Sequence, residues 1–375
     1  MSSALKLRFG AELEVVTGSK ANSHMEWHLT ARELSKELTN IGVKNHVNED
    51  HNKDAEDYSE WSLIQEVTIT NQMMQNKCMA YANFRLGHSS DTTYLYTNSA
   101  IGGMELVSPI LDFQRPDIWQ AHLQGIWWVL GQKFNTSNTS QCSTHVHVSP
   151  SEGQWTLDQV KRVAKTALYF ERSIDSLLPL ERRTNLWCQS NRWNTTLKAQ
   201  SMSTLFSWID GAASIPHVAF LMCTYSKDSD YGRAMGYTND FPHHVFRWNF
   251  TPLSQGAKGT IEFRQPPGSS SAAETQLWIT LTASFIQGAI QYADSLDSTK
   301  PPTLELFKGV ILNGATVSGV SDKSLLHKLF EGKNQLAPGA YDLKSLTQDD
   351  FEKMRRKATE MNITLTKFKK LFGYK

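Results

Sequence analysis

The stretch LKLRFGAELEVV, residues 5–16, alternates strictly. Leu5, Leu7, Phe9, Ala11, Leu13 and Val15 fall on one side of an extended chain, and Lys6, Arg8, Glu12 and Glu14 on the other. Such a strand covers an apolar core with one face and holds two carboxylates on the opposite one. Five further segments show the same split. In WSLIQEVTI (61–69), Glu66 lies opposite Trp61, Leu63, Val67 and Ile69. In GMELVSPIL (103–111), Glu105 lies opposite Met104 and Leu106. In STHVHVS (143–149), His145 and His147 share a face. In the pair VFRWNF (245–250) and GTIEFRQ (259–265), Arg247 and Asn249 oppose Phe246, Trp248 and Phe250, and Glu262 and Arg264 oppose Ile261 and Phe263.

Helices separate these strands. The pattern Thr30-x-x-Glu33 predicts a capping box, with Leu34, Leu38 and Ile41 inward and Gly42 as the stop. Pro116 opens a Trp-rich helix to about Leu130, whose Trp119, Trp127 and Trp128 are expected in the core. Thr156-x-x-Gln159 and Ser271-x-x-Glu274 open two more, to about Leu178 and Leu296. Residues 48–60, the NTSNTS run (135–140) and residues 225–244 are expected as loops. Without a regular βαβ rhythm, this order predicts an α+β fold built on a largely antiparallel sheet. Pro301-Pro302 divides the chain into a main domain, 1–300, and a helical extension packed on it, 301–375.

The 375 residues carry 38 Lys plus Arg against 37 Asp plus Glu, a formal charge of +1. This balance gives no general attraction for nucleic acid or an anionic membrane. A basic tail from Phe351 to Lys375 is expected as a solvated helix face. The cysteines at 78, 142, 188 and 223 form no CxxC pair and are expected as buried apolar residues. The alternating start does not resemble a secretory signal, and no apolar run is long enough to span a bilayer. A reduced, cytoplasmic setting is therefore expected.

If the five strands that carry Glu or His share one sheet, its polar face gathers five Glu and two His. A solvated face is the plain alternative, but such faces mix Lys, Thr, Ser and Gln. Clustered carboxylates raise one another's pKa unless cations sit among them, and carboxylates with an occasional His suit Mg²⁺ or Mn²⁺. Two metal chemistries stay open. His145-x-His147 with Glu152 is similar to the HxHx(3–4)E signature of cupin metal enzymes, which would imply an oxygenase or hydrolase. More carboxylates than one ion needs point instead to several ions bridging ATP phosphates, with Arg264 as a bidentate phosphate clamp. Neither a P-loop nor a GxGxxG motif is present.

FGAELEVV, GMELVSPIL, STHVHVS and GTIEFRQPPG, in this order, resemble the putative amidoligase family, in the carboxylate–amine ligase superfamily of glutamine synthetase and γ-glutamate–cysteine ligase. The similarity runs over roughly residues 5–295. It implies a curved antiparallel sheet with helices on its convex face, and an ATP- and Mg²⁺- (or Mn²⁺-) dependent ligase. Such an enzyme joins a small-molecule carboxylate to an amine through an acyl phosphate. By resemblance, Glu12, His145 and Glu262 hold the ion at the β- and γ-phosphates, and Glu14, Glu66 and Glu105 the ion nearer the acyl acceptor. His147 lies near the nucleotide phosphates, Arg264 stabilises phosphate, and Asn249 and Arg247 stand on the preceding strand. Glu171 and Arg182 or Arg183 fall where a substrate carboxylate or the nucleotide is held. Relatives often assemble, so a homo-oligomer is an expectation. The departures are Glu66, where relatives have Asp, and QPPGSS after Arg264. The third alternative is an inactive relative that binds a ligand or partner protein. Asp228 or Asp230 is the expected base, and Trp187, Trp193 and Trp208 are candidates for an aromatic pocket.

Overall fold

A computed structural model describes residues 4–21, 27–49, 58–66, 69, 102–183, 185, 187–194, 197, 200–228, 238–254 and 259–337. Cys78, Asp230 and the basic tail lie outside these residues. Eleven strands occur among them, in chain order: β1 (Leu7–Ser19), β2 (Asn45–Val47), β3 (Trp61–Gln65), β4 (Gly102–Val107), β5 (Leu111–Asp112), β6 (Phe134–Ser137), β7 (Thr144–Pro150), β8 (Thr224–Tyr225), β9 (Phe241–Pro242), β10 (Trp248–Asn249) and β11 (Ile261–Phe263). Ten α-helices accompany them: α1 (Trp27–Asn40), α2 (Pro116–Lys133), α3 (Leu157–Tyr169), α4 (Glu171–Leu177), α5 (Leu180–Arg183), α6 (Met202–Asp210), α7 (Ile215–Cys223), α8 (Ala272–Tyr292), α9 (Leu304–Val317) and α10 (Ser324–Phe330). The fold is α+β, as the sequence predicts.

Nine strands form one open sheet in the order β10-β11-β7-β1-β4-β3-β2, with β5 and β6 also on β1. Every pairing is antiparallel except β2 with β3. β1 is central because it is long enough to take two partners end to end on each edge: β5 then β4 on one, β7 then β6 on the other. Its odd-numbered face, Leu7, Phe9, Ala11, Leu13 and Val15, is buried in one core with Val146 and Val148 of β7, Met104 and Leu106 of β4, and the helices. Trp248 stacks on Phe263 and on Phe285 of α8, both at 4.4 Å, which fixes the β10–β11 end of the sheet to that helix.

Thr156 and Ser271 cap the starts of their helices as read, accepting from the Gln159 and Glu274 N–H, with a full capping box at Thr156; the helix expected to run from there to Leu178 breaks at Phe170 into α3 and α4. Further expectations are corrected. Helix α1 begins at Trp27, so Thr30 is a buried interior residue and no cap; Trp27 packs against the core and draws the first turn forward, while Glu33 accepts from the Ser19 hydroxyl instead. Ile41 is 39% exposed, past the last helical residue, Asn40, and just before Gly42 (φ +81°). The NTSNTS run does not stay a loop, since Phe134–Ser137 pairs with the part of β1 that β7 leaves uncovered. Trp119 and Trp127 pack as expected, but Trp128 is 56% exposed. Nine residues at about 100° each put it roughly opposite Trp119 on the helix. No helix of the described residues is long and apolar enough to cross a membrane.

Helices α8 and α9 meet through glycines. A Cβ on Gly314 would lie 1.9 Å from the Ser284 carbonyl oxygen, and one on Gly288 2.5 Å from that of Val310. Gly309, on the same helix as Gly314, faces open space. Gly314→Ala is expected to destabilise by about 1–3 kcal/mol through forced separation of the backbones, whereas Gly309→Ala stabilises by about 0.5–1 kcal/mol. Urea unfolding of the two variants checks this, and equal effects would contradict the close approach.

Candidate active site

Strand register sets the polar face in rows. Glu12 pairs with His145, Glu14 with Glu105, His147 with both Gly10 and Glu262, and Glu262 with Asn249. Side chains directly opposite one another share a face, so the glutamates of three strands and the histidines of a fourth converge. Glu14, Glu105, His145, Glu262 and Asn249 are buried; Glu12 and His147 are partly open, each side chain about 13% exposed.

Glu12 is the hub. Its Oε2 lies 3.0 Å from His145 Nδ1 and its Oε1 3.3 Å from His147 Nε2. His147 Nε2 is also 3.5 Å from Glu262 Oε1, while its Nδ1 meets the Thr260 hydroxyl at 3.1 Å. Glu14 accepts from the Ser143 N–H (2.7 Å) and hydroxyl (2.5 Å), and that hydroxyl also contacts His145 Nε2 at 2.7 Å. Arg264 donates to Glu262 Oε1 at 2.5 Å, and Asn249 donates to Glu262 Oε2 at 2.6 Å. Burial alone would raise the pKa of Glu262, but Arg264 and His147 outweigh it and hold the carboxyl down at about 2. Burial works against the Arg264 charge, and Glu262, Glu12 and Glu14 more than restore it.

Two groups could each hold a cation. In one, ligand atoms of Glu12, Glu105 and His145 lie within 4.8 Å of one another; in the other, those of Glu12, His147 and Glu262 do. Ligands on opposite sides of a hard divalent ion stand about 4–5 Å apart, twice a metal–oxygen bond, so both donor sets have the chemistry and the span to fit. The hydroxyl of Thr260 orients His147 through its second nitrogen, as metal-bound imidazoles require. The geometry thus groups Glu105 with His145, and His147 with Glu262, around a shared Glu12. Glu14 adjoins the first group, its Oε1 3.7 Å from His145. Glu66 follows the last residue of β3, partly exposed, and belongs to neither group.

Other expected residues stand apart. Glu152 is exposed in the turn after β7 and joins neither group, so the His145–His147–Glu152 triad is not assembled. Arg247 turns away from Glu12 into a buried network: it donates to Asp175 at 2.9 Å and to the Cys188 and Arg183 carbonyls, with Glu171 at 3.5 Å. Glu171 also accepts from the Ser190 hydroxyl and from the Asn191 N–H. Burial raises its pKa, against the pull of Arg247. Arg182 donates to the carbonyls of Gln265 (3.0 Å) and Arg264 (2.8 Å), and Arg183 to that of Leu178. Asp228 is exposed on a turn, and Trp208 lies on α6, 36% exposed. Trp187 meets the site through its carbonyl, 3.4 Å from Arg264 Nε.

Two contributors escaped the sequence reading. Ser143 and Thr260 each precede a site residue by two positions, and so share its face. The residues after Arg264 fold back on the start of β7: Gly268 donates to the Cys142 carbonyl, and a Cβ on Gly268 would stand 2.6 Å from Cys142 Cβ.

A family model described as a putative amidoligase enzyme matches residues 5–286, well over half of the chain. No curated protein matches.

Glu262 binds protons less readily in the folded chain than at its ordinary 4.5. Its ionised form therefore stabilises the fold fully above about pH 4.5, and that contribution is lost as pH falls toward 2. In metal-free buffer the stability gap between wild type and Glu262→Gln, from urea titrations, is expected to narrow across this window as pH falls. A gap independent of pH would contradict the ion pair.

Proposed function

This chain belongs to the putative amidoligase family, and we propose that it is an ATP-dependent ligase that joins a small-molecule carboxylate to an amine. The observation that carries the proposal is the meeting of Glu12, Glu105, His145, His147 and Glu262 beside Arg264 on one sheet face. A cluster with this much carboxylate suits divalent ions and polyphosphate better than it suits any single-metal chemistry.

Chemically, a carboxylate is a poor electrophile, because its leaving group would be oxide. Attack of a carboxylate oxygen on the γ-phosphorus of ATP releases ADP and leaves an acyl phosphate. The amine then adds to the acyl carbon, phosphate departs, and the ammonium proton passes to a base. Mg²⁺ or Mn²⁺ at the two glutamate–histidine groups would neutralise phosphate charge. Arg264 supplies a fixed guanidinium at the edge of those groups, held by Glu262 and the Trp187 carbonyl. Its part is to stabilise the transferred phosphoryl group, which carries charge on its equatorial oxygens. Asn249, whose oxygen accepts from Thr251, fixes Glu262 from the far side. Arg182 fixes the backbone that carries Arg264. Arg247 acts in the same scaffold and is a positioning residue.

Two measurements test this. Calorimetric titration with Mn²⁺ should show two ions in wild type. Glu105→Gln and His147→Ala should each weaken one ion by more than about tenfold, and Glu12→Gln both. Loss of a single ion in Glu12→Gln would contradict the shared ligand. Incubation with ATP, Mg²⁺, a panel of carboxylic acids and hydroxylamine should give acyl hydroxamate and ADP in equal amounts. Arg264→Ala should lower the rate by about 10²–10³-fold. Hydroxamate formation unchanged in Arg264→Ala, or none across a broad panel, would overturn the proposal.

A further inference from the structure

Beyond the carboxylates, the same face of β1 carries a cation that the chemistry above does not use. Arg8 lies on β1 four residues before Glu12, on the same side, and pairs with Ser149 of β7 and Asp112 of β5. Successive same-side residues stand about 7 Å apart along a strand. The Arg8 backbone is therefore roughly 13 Å from that of Glu12. Its side chain is only partly buried, and among the described residues its guanidinium makes a single bond, Nε to the Ser149 hydroxyl at 3.0 Å. No carboxylate of the described residues ion-pairs with it, although Asp112 is opposite in register. A guanidinium oriented through Nε keeps its two terminal nitrogens as a fork for one oxyanion.

Between Arg8 and Glu12 on this side is Gly10, beside His147. A Cβ at Gly10 would meet a single atom, the Ser108 hydroxyl at 3.9 Å. The strand interior thus holds a residue with no side chain where neither turn nor packing demands one, which marks a close approach of something else. The face has metal-suited groups at one end, a bare floor over Gly10, and a part-open cationic fork at the other.

We propose that Arg8, oriented by Ser149, is a subsite for an oxyanion of the ligand that takes no part in the transfer, with the ligand crossing the floor over Gly10 toward Glu12. This inference rests on the ligase proposal only for the source of the oxyanion: a non-transferred nucleotide phosphate or a second carboxylate of the acid substrate.

Calorimetry on the full chain, with Mg·ADP and a panel of mono-, di- and tricarboxylic acids, distinguishes the sources. At least one of these probes should bind the wild type. Arg8→Ala should weaken it by about tenfold or more, with Arg8→Lys intermediate because it keeps the charge and loses the fork. Loss confined to Mg·ADP assigns a nucleotide phosphate; loss confined to di- or tricarboxylates assigns the acid. Gly10→Val should weaken the same probe without removing charge, and it carries the test if Arg8→Ala does not fold. Acid binding through Arg8 without Mg·ADP binding to the wild type would support the subsite and count against the nucleotide. Unchanged affinities in Arg8→Ala and Gly10→Val, or no probe binding the wild type, would overturn the subsite.

Discussion

Carboxylates that share a buried face repel one another more strongly as water is removed, so something positive must stand among them. Here the fixed countercharge is Arg264, in contact with Glu262 and close enough to Glu12 and Glu14 for both to favour its ionised form. Much of the architecture on that side of the molecule holds this one guanidinium in place. Arg182 grips the carbonyls of Arg264 and its neighbour, the Trp187 carbonyl meets Nε, and the residues after Arg264 are clamped on Cys142. An arginine that is charged before any ligand arrives, and that cannot swing away, needs no reorganisation to meet negative charge.

The helical side chains behind it make a second charged layer. Asp175 receives Arg247 and Gln265, and Glu171 receives Ser190, Asn191 and Arg247, all buried. A buried ion pair contributes little net stability, and removing one partner costs far more than the pair is worth. Here the pairs tie α4 and the segment after α5 to the residues that flank β10 and β11. The apolar face of the same sheet has no such requirement, and there stacked rings and glycine-mediated helix contact set the geometry.

The fold and much of the site were legible in the sequence because both follow from a period of two. One-sided burial forces strict alternation in β1, and alternation alone places Glu12 and Glu14, His145 and His147, and Glu262 and Arg264 on one face. What alternation cannot express is reach. Arg247 follows the pattern as well as Asn249 does, yet its long side chain ends in a contact with Asp175, seventy-two residues away. Ser143 and Thr260 obey it too, but hydroxyls on strands are too ordinary to stand out. Glu66 lies just past β3 with its N–H still bonded to the Gly103 carbonyl, yet alternation cannot tell that its carboxylate stays outside both groups around Glu12. Trp128, half a turn in phase from Trp119, falls on the exposed side of its helix, and the pairing of residues 134–137 depends on β1 outrunning β7.

The centrality of β1 also bears on how the chain comes into being. Its first residues leave the ribosome well before any strand they pair with in the sheet. At about 5–20 residues per second, β4 follows several seconds later, and β7 and β11 later still. Throughout that interval Leu7, Phe9, Leu13 and Val15 have no sheet partner, and of the helices that cover them in the finished core only α1 has emerged. Long-range pairing of this kind slows folding and exposes an apolar strand to foreign edges. The strand that organises the finished molecule thus waits longest for its sheet partners during synthesis, and Arg8, Glu12 and Glu14 give its other face the charge that blunts an exposed strand against foreign edges.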